Sequence, residues 1–300
     1  MNNVVLSHTV RDTHRAVTEH IVAALAQGVA TSIMPWHSGS THLGRPRNAL
    51  TNRPYTGINV LALWVIAQEK SYPSLYFASY RQWQQLGAQV RRGERGSAIL
   101  FYKKLEQEDV DGDAETDPPR YFLRASTVFN AAQVEGWLPP EPARTSGVAR
   151  IARVERLVVS SGARVREGRY DIACYDAAVD VIDMPHRKHF TGTPTSNPTE
   201  SFYAVLLHEL THWTGHKDRL ARDMKRRFGD VGYAIEELVA ELGAAFLCAD
   251  LGLTSEPRPD HAAYIADWLR ALKAQPNALT IAAGRASAAA EYLLSFEPKT

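Results

Sequence analysis

Three hundred residues, 45% apolar and 22% charged, make an ordinary globular composition that excludes wholesale disorder. At about 100–200 residues per domain, a chain of this length predicts two domains. The net charge of +1 conceals an uneven distribution, and no apolar run approaches the roughly 18 residues of a membrane-spanning helix.

The N-terminus, MNNVVLSHTVRDTHR, lacks the basic-then-apolar order of a secretory signal, so a cytoplasmic location is expected. From residue 9 to 27 the helical spacing of Val10, Val17, Ile21, Val22, Leu25 and Ala26 predicts an amphipathic helix, with Gly28 as its stop. A Gly-, Pro- and Arg-rich irregular stretch follows. Thr56 or Asn59 then caps a helix through Leu61, Leu63, Trp64 and Ile66. Ser79–Gly87 reads as a short helix, Val90–Gly93 as a turn, and Ser97–Lys103, Arg120–Ser126 and Thr127–Phe129 as strands, so this half is α+β. Trp64 and Phe101 sit in apolar periodic runs and are assigned to the core.

Residues 1–105 carry twelve Lys/Arg against four acids, a local charge of +8. The next twelve residues, EQEDVDGDAETD, hold seven acids and read as a solvated loop. Within the basic piece, Trp36, Tyr55, Tyr80 and Trp83 alternate with Arg45, Arg47, Arg53, Arg81, Arg91 and Arg92, and Lys103 and Lys104 end it. Aromatic faces stack on unpaired bases and guanidiniums pair with phosphates, a recipe for single-stranded nucleic acid. Spacing alone leaves open that these aromatics are core. The proline-rich PPEPARTSG stretch predicts a linker, which gives a first domain at 1–138, a linker at 139–149 and a second domain at 150–300.

In the second domain, Val179–Pro185 alternates as a strand and is read as a plain sheet edge, with alignment of an extended peptide as the alternative. Thr199 is taken as the N-cap of a helix carrying His208-Glu209-Leu210-Thr211-His212, an HExxH motif. Histidines at i and i+4 share one helical face and one metal ion, and the intervening Glu209 serves as general base toward a metal-bound water. Zinc suits this donor set best, with manganese or cobalt as alternatives. The third ligand is either Glu237, on a second helical pattern beginning at Gly232, or Asp218, which fits HExxHxxGxxD. Glu237 is preferred. Glu241, one turn on, is placed behind the ligands holding a histidine N–H, and Glu236 is read as a solvated neighbour. Tyr233 is a candidate oxyanion donor with packing as the alternative, and His216 is not taken as a ligand. Further helices are expected at 237–250, 258–274 and 277–295. Cys174 and Cys248 are read as buried, inert thiols in a reducing compartment.

HELTHWTGH followed by YAIEELVAELGAAFL closely resembles the zincin-like domain of the ArdC-type plasmid antirestriction family, which is related to TraC-like proteins. TNRPYTGINVLAL, SYRQWQQLGAQVRRGERGSAILFYK and VFNAAQVEG resemble that family's single-strand-binding domain. The resemblance runs from about Arg11 to Leu294. It implies an α+β, two-domain fold with a mainly helical, gluzincin-type second domain holding a small sheet. It also implies single-stranded DNA as partner, ligation by His208, His212 and Glu237, and protection of incoming plasmid DNA from host restriction endonucleases. A pure DNA coat with a structural metal, and a metallopeptidase whose first domain docks a protein substrate such as a restriction enzyme, are the alternatives.

Overall fold

The computed structural model describes residues 4–5, 8–31, 44–104, 121–140, 146–168, 172–192, 196–223, 231–253 and 277–297, with Trp268, Leu272 and Gln275. The fold is α+β, with a mainly helical second half. Its first part runs β1 (Val4–Val5), α1 (His8–Thr31), β2 (Arg47–Asn48), α2 (Ile58–Glu69), β3 (Tyr76–Ala78), α3 (Tyr80–Gln85), β4 (Gln89–Val90), β5 (Ser97–Lys104), β6 (Tyr121–Asn130) and β7 (Val134–Glu135). The second part comprises α4 (Gly147–Ser161), β8 (Val165–Gly168), β9 (Cys174–Asp176), β10 (Val181–Pro185), α5 (Pro198–Trp213), α6 (Val231–Leu251) and α7 (Ala278–Leu294). The expected helix at 258–274 and the acidic run lie outside the described residues, apart from Trp268 and Leu272.

Local chemistry explains most boundaries. Ser79 and Gln82 form a reciprocal capping box on α3. At α2 both candidate caps fail. The N-cap is Gly57 at φ 59°, a left-handed value that favours glycine, and its N–H donates to Ser287 Oγ of α7 at 2.8 Å. Asn59 instead lies inside α2, where its carboxamide makes both backbone hydrogen bonds of Leu100, at 2.7 and 2.8 Å. That contact covers the outer edge of β5, which pairs on its other side with β6. Gly28 does not stop α1, which continues to Thr31. On α5 the cap is Asn197 rather than Thr199: its side chain accepts from the N–H groups of Thr199 and Glu200, and Pro198 takes the first helical position. Helix α4, absent from the sequence reading, starts at the Ser146 cap and ends at Gly162, φ 73°.

β6 joins the larger sheet, pairing with β5 along its length, with β1 at its start and with β3 at its end. In the smaller sheet β10 lies between β8 and β9. The sequence placed this strand at an edge. Both its faces are buried (Val181, Ile182, Met184), and the edges of this sheet belong to β8 and β9. Phe101 also departs from its core assignment: it is 48% exposed, opposite the exposed Arg124 on β6.

One apolar cluster runs through both parts, from Ile21, Leu61 and Leu63 to Leu210, Phe246 and Ala283. Trp64 of α2 packs against Phe246 of α6 at 5.6 Å between ring centroids. Beside them Arg45 Nη2 meets Asp250 Oδ2 at 2.5 Å, with side chains only 2% and 7% exposed. A smaller cluster, built on Trp83, Val90 and Val134, supports α3 and the β4–β7 pair. Breaking a buried ion pair strands a charge away from water. Asp250→Ala should therefore cost about 3–5 kcal/mol in urea unfolding. A loss below about 1 kcal/mol would make this pair no stronger than a surface bridge.

Candidate metal centre and nucleic-acid face

Helix α5 projects His208 and His212 from one face, their ring centroids 4.9 Å apart. Helix α6 packs very closely on it. A Cβ built on Gly243 would lie 2.5 Å from Thr211 Cγ2, so a glycine here permits the approach. That approach brings Glu237 to the histidines: its Oε2 is 3.6 Å from His208 Nε2 and its Oε1 3.5 Å from His212 Nε2. Ligand atoms of His208, His212 and Glu237 all lie within 4.8 Å of one another, and all three residues are buried. Two imidazoles and a carboxylate form a donor set that fits a divalent ion of the zinc–manganese type. Asp218 does not join them. Its side chain is 72% exposed and its carboxylate faces His216 Nδ1 at 3.4 Å.

The opposite ring nitrogens face carboxylates too. His208 Nδ1 is 3.6 Å from Glu241 Oε2, as the helical spacing suggested. His212 Nδ1 lies 3.4 Å from Glu236 Oε1, which the sequence reading had put in solvent. Glu236 is buried because α6 is enclosed almost all round, and Arg222 meets its carboxylate through Nε and Nη2 at 2.8–3.1 Å. Arg222 was not singled out in the sequence; its separation from HExxH carries no local periodic signal. Glu209, 3% exposed, accepts the backbone N–H of Tyr175 on β9 at 2.9 Å. The Tyr175 hydroxyl and Arg219 both hold Asp180, and Arg219 stacks over Trp213 at 3.9 Å. Tyr233 lies half-buried on the first turn of α6. Cys174 is exposed, not buried, on the β9 edge; partial burial and the carboxylates of Glu209 and Asp176 push its thiol pKa up. Cys248 is buried as expected.

The nucleic-acid candidates divide sharply. Trp83 is fully buried with its indole N–H on Phe129 O, Tyr55 is buried with its hydroxyl on Phe77 O, and Arg45 is consumed by Asp250. These three have no face to offer a ligand. Arg47 is half-buried and holds Asn52 O. Arg53, Tyr80, Arg81, Arg91 and Arg92 are exposed, Arg91 being paired with Glu94. Trp36 lies outside the described residues, as do the side chains of Lys103 and Lys104. The structure adds Arg95, Arg124 and Phe101 to the exposed set.

Comparison with known proteins matches residues 11–129 to the N-terminal domain of anti-restriction factor ArdC, and residues 152–285 to a zincin-like metallopeptidase domain. The metal-free crystal structure of the antirestriction protein ArdC from plasmid R388 superposes with a TM-score of 0.76 at 35% identity, covering 94% of this chain and 97% of that one. The chain belongs to the ArdC antirestriction family. The Mn(II)-bound structure of the R388 protein matches with a TM-score of 0.75 at 36% identity, over the same shares of the two chains. A Sinorhizobium fredii protein, y4eC, is 41% identical over 95% of this chain and 92% of its own length. An Escherichia coli DNA primase TraC is 36% identical over 95% of this chain but only 27% of its own length.

In the metal-free protein the His212 imidazole is pushed up to about 10: burial lowers its pKa, but hydrogen bonds to Glu236 and Glu237 and the charges of Glu237 and Glu209 outweigh it. Glu237 moves oppositely; burial raises its pKa, yet the two histidines outweigh burial and hold it ionised. Protonated His212 thus stabilises the metal-free fold fully below pH 6.5, and this contribution fades as pH rises through about 10. A metal ion needs the neutral ring and competes with that proton. Loading should release protons, and affinity should climb as pH rises toward about 10. Calorimetry in buffers of different ionisation enthalpy counts them; a pH-independent affinity would exclude His212 as ligand.

Proposed function

We propose that this protein binds single-stranded DNA through its first half and protects incoming plasmid DNA from host restriction endonucleases during conjugation, in the cytoplasm. The observation that carries the DNA reading is the exposed set around α3. Arg53, Arg81, Arg92 and Arg95 have no carboxylate partner among the described residues, and Tyr80, 43% exposed, stands among them. Family membership supports the antirestriction role. The domain boundary near 139–149 belongs to this proposal, with the qualification that one apolar cluster spans both sides. No helix among the described residues is long and apolar enough to cross a membrane.

His208, His212 and Glu237 would hold one divalent ion, zinc by donor chemistry or manganese by analogy with the R388 structure. When bound, the ion supplies Lewis-acid chemistry for peptide hydrolysis. Glu209, between the two histidines, would accept the proton of the attacking water and return it to the leaving amine. Tyr175 N–H, on Glu209 Oε2, would keep that carboxylate oriented. An extended peptide, such as a segment of a restriction enzyme, would lie along the β9 edge of the smaller sheet, and the Tyr233 hydroxyl would donate to the oxyanion. Burial of all three ligands between α5 and α6 also favours a second reading, in which the ion ties the helices and cleaves nothing.

Fluorescence anisotropy with labelled single- and double-stranded oligonucleotides tests the first part. Single strands should bind more tightly, with steep salt dependence. Replacing Arg53, Arg81 and Arg92 together by alanine should reduce the log–log salt slope by about 2. Equal binding to both forms would end the single-strand reading, and absent binding would end the DNA reading. Glu209→Ala should retain metal and DNA while abolishing peptide cleavage. Antirestriction that survives this change in cells would favour the structural-metal reading.

A further inference from the structure

We infer that Arg222 and Glu236 are positioning residues of the metal centre, a buried clamp that holds the His212 ring in register for the ion. The inference rests on reading His208, His212 and Glu237 as ligands. His212 presents Nε2 toward Glu237, while its Nδ1 faces Glu236 Oε1 at 3.4 Å. A neutral imidazole that gives Nε2 to a metal carries its proton on Nδ1, and an ionised carboxylate there fixes both tautomer and ring orientation. Glu236 does this from a site 8% exposed, where an isolated carboxylate would be costly.

Arg222 supplies what Glu236 lacks. Its Nε lies 3.1 Å from both carboxylate oxygens and its Nη2 2.8 Å from Oε1. The same guanidinium donates to Thr211 O at 2.6 Å and to Thr214 Oγ1 at 2.8 Å. Thr211 precedes His212 and Thr214 caps the end of α5, where helix carbonyls lack intrahelical donors and a cation is favoured. Arg222 therefore grips both sides of the contact it controls: the backbone beside His212 and the carboxylate behind its ring. Its guanidinium is planar and forked, so lysine would not reproduce this set of bonds.

Two roles are separable. A clamp on His212 changes metal affinity and the ligand field; a mere tie between α5 and α6 changes only the stability of the metal-free protein. The full chain, stripped with chelator, would be titrated with Mn(II) and Co(II), following Mn(II) by EPR and Co(II) by its visible absorption. Glu236→Gln, Arg222→Lys and Arg222→Met would be compared with the unchanged protein. We expect Mn(II) affinity to fall by about 10–100-fold in Glu236→Gln and in Arg222→Met, with an altered Co(II) spectrum. Arg222→Lys should restore little. The double variant should be no weaker than the worse single one, because both residues act through one ring.

Affinities within twofold of the unchanged protein in Glu236→Gln, with an unaltered Co(II) spectrum, would overturn the inference even if melting temperatures fall. Additive losses in the double variant would overturn it as well. Failure of the unchanged protein to bind either ion would instead refute the ligand reading beneath it. If Arg222→Met does not fold, Glu236→Gln, nearly isosteric, decides the question.

Discussion

Everything in the second half depends on burying ionisable groups between two apolar helices. His208, Glu209 and His212 of α5, with Glu236, Glu237 and Glu241 of α6, are each less than 10% exposed. Charges withdrawn from water are tolerated only when paired and hydrogen-bonded. Here the compensation is mutual: carboxylates face both ring nitrogens of each histidine, a backbone amide takes Glu209, and a guanidinium takes Glu236. Four buried carboxylates against two imidazoles and Arg222 make a centre suited to gaining a cation. The close approach at Gly243 is what keeps the two sets of groups within reach.

Helix α6 also links the two halves. Its N-terminal turns carry the carboxylates of the centre, Phe246 meets Trp64 of α2, and Asp250 pairs with Arg45. The segment after Arg45 enters β2 and the exposed loop that bears Arg53. Atoms that shape the basic face and atoms that shape the metal centre thus belong to one contiguous packed core. The smaller cluster around Trp83 supports α3 separately, so Tyr80 and Arg81 stand on a platform of their own.

Residues readable in advance were those whose relation is local. His208, Glu209 and His212 lie within one helical turn and a third, and the period of the helix alone puts the imidazoles together. Glu241 was legible for the same reason. The assignment of Glu236 failed because α6 has little polar face, and periodicity says nothing about direction when a helix is enclosed on nearly every side. Trp83 and Tyr55 look on the page like stacking residues and are core; Phe101 looks like core and is half exposed. An aromatic beside an arginine has the same sequence signature in either setting.

The sequence by itself determined the elements that short-range chemistry controls: the short helix after Ser79, the β5 and β6 strands, the HExxH face and the family to which the chain belongs. Only the tertiary structure decided that Glu237 and not Asp218 meets the histidines, that Arg222 stands behind Glu236, that β10 is the central strand of its sheet and not an edge, and that Arg45 faces Asp250 instead of solvent. The reason is the range of the interaction. Caps, turns and i,i+4 neighbours are set by a few consecutive dihedral angles. Ligand choice, edge position and exposure are set by which distant elements pack together, and no local spacing encodes that.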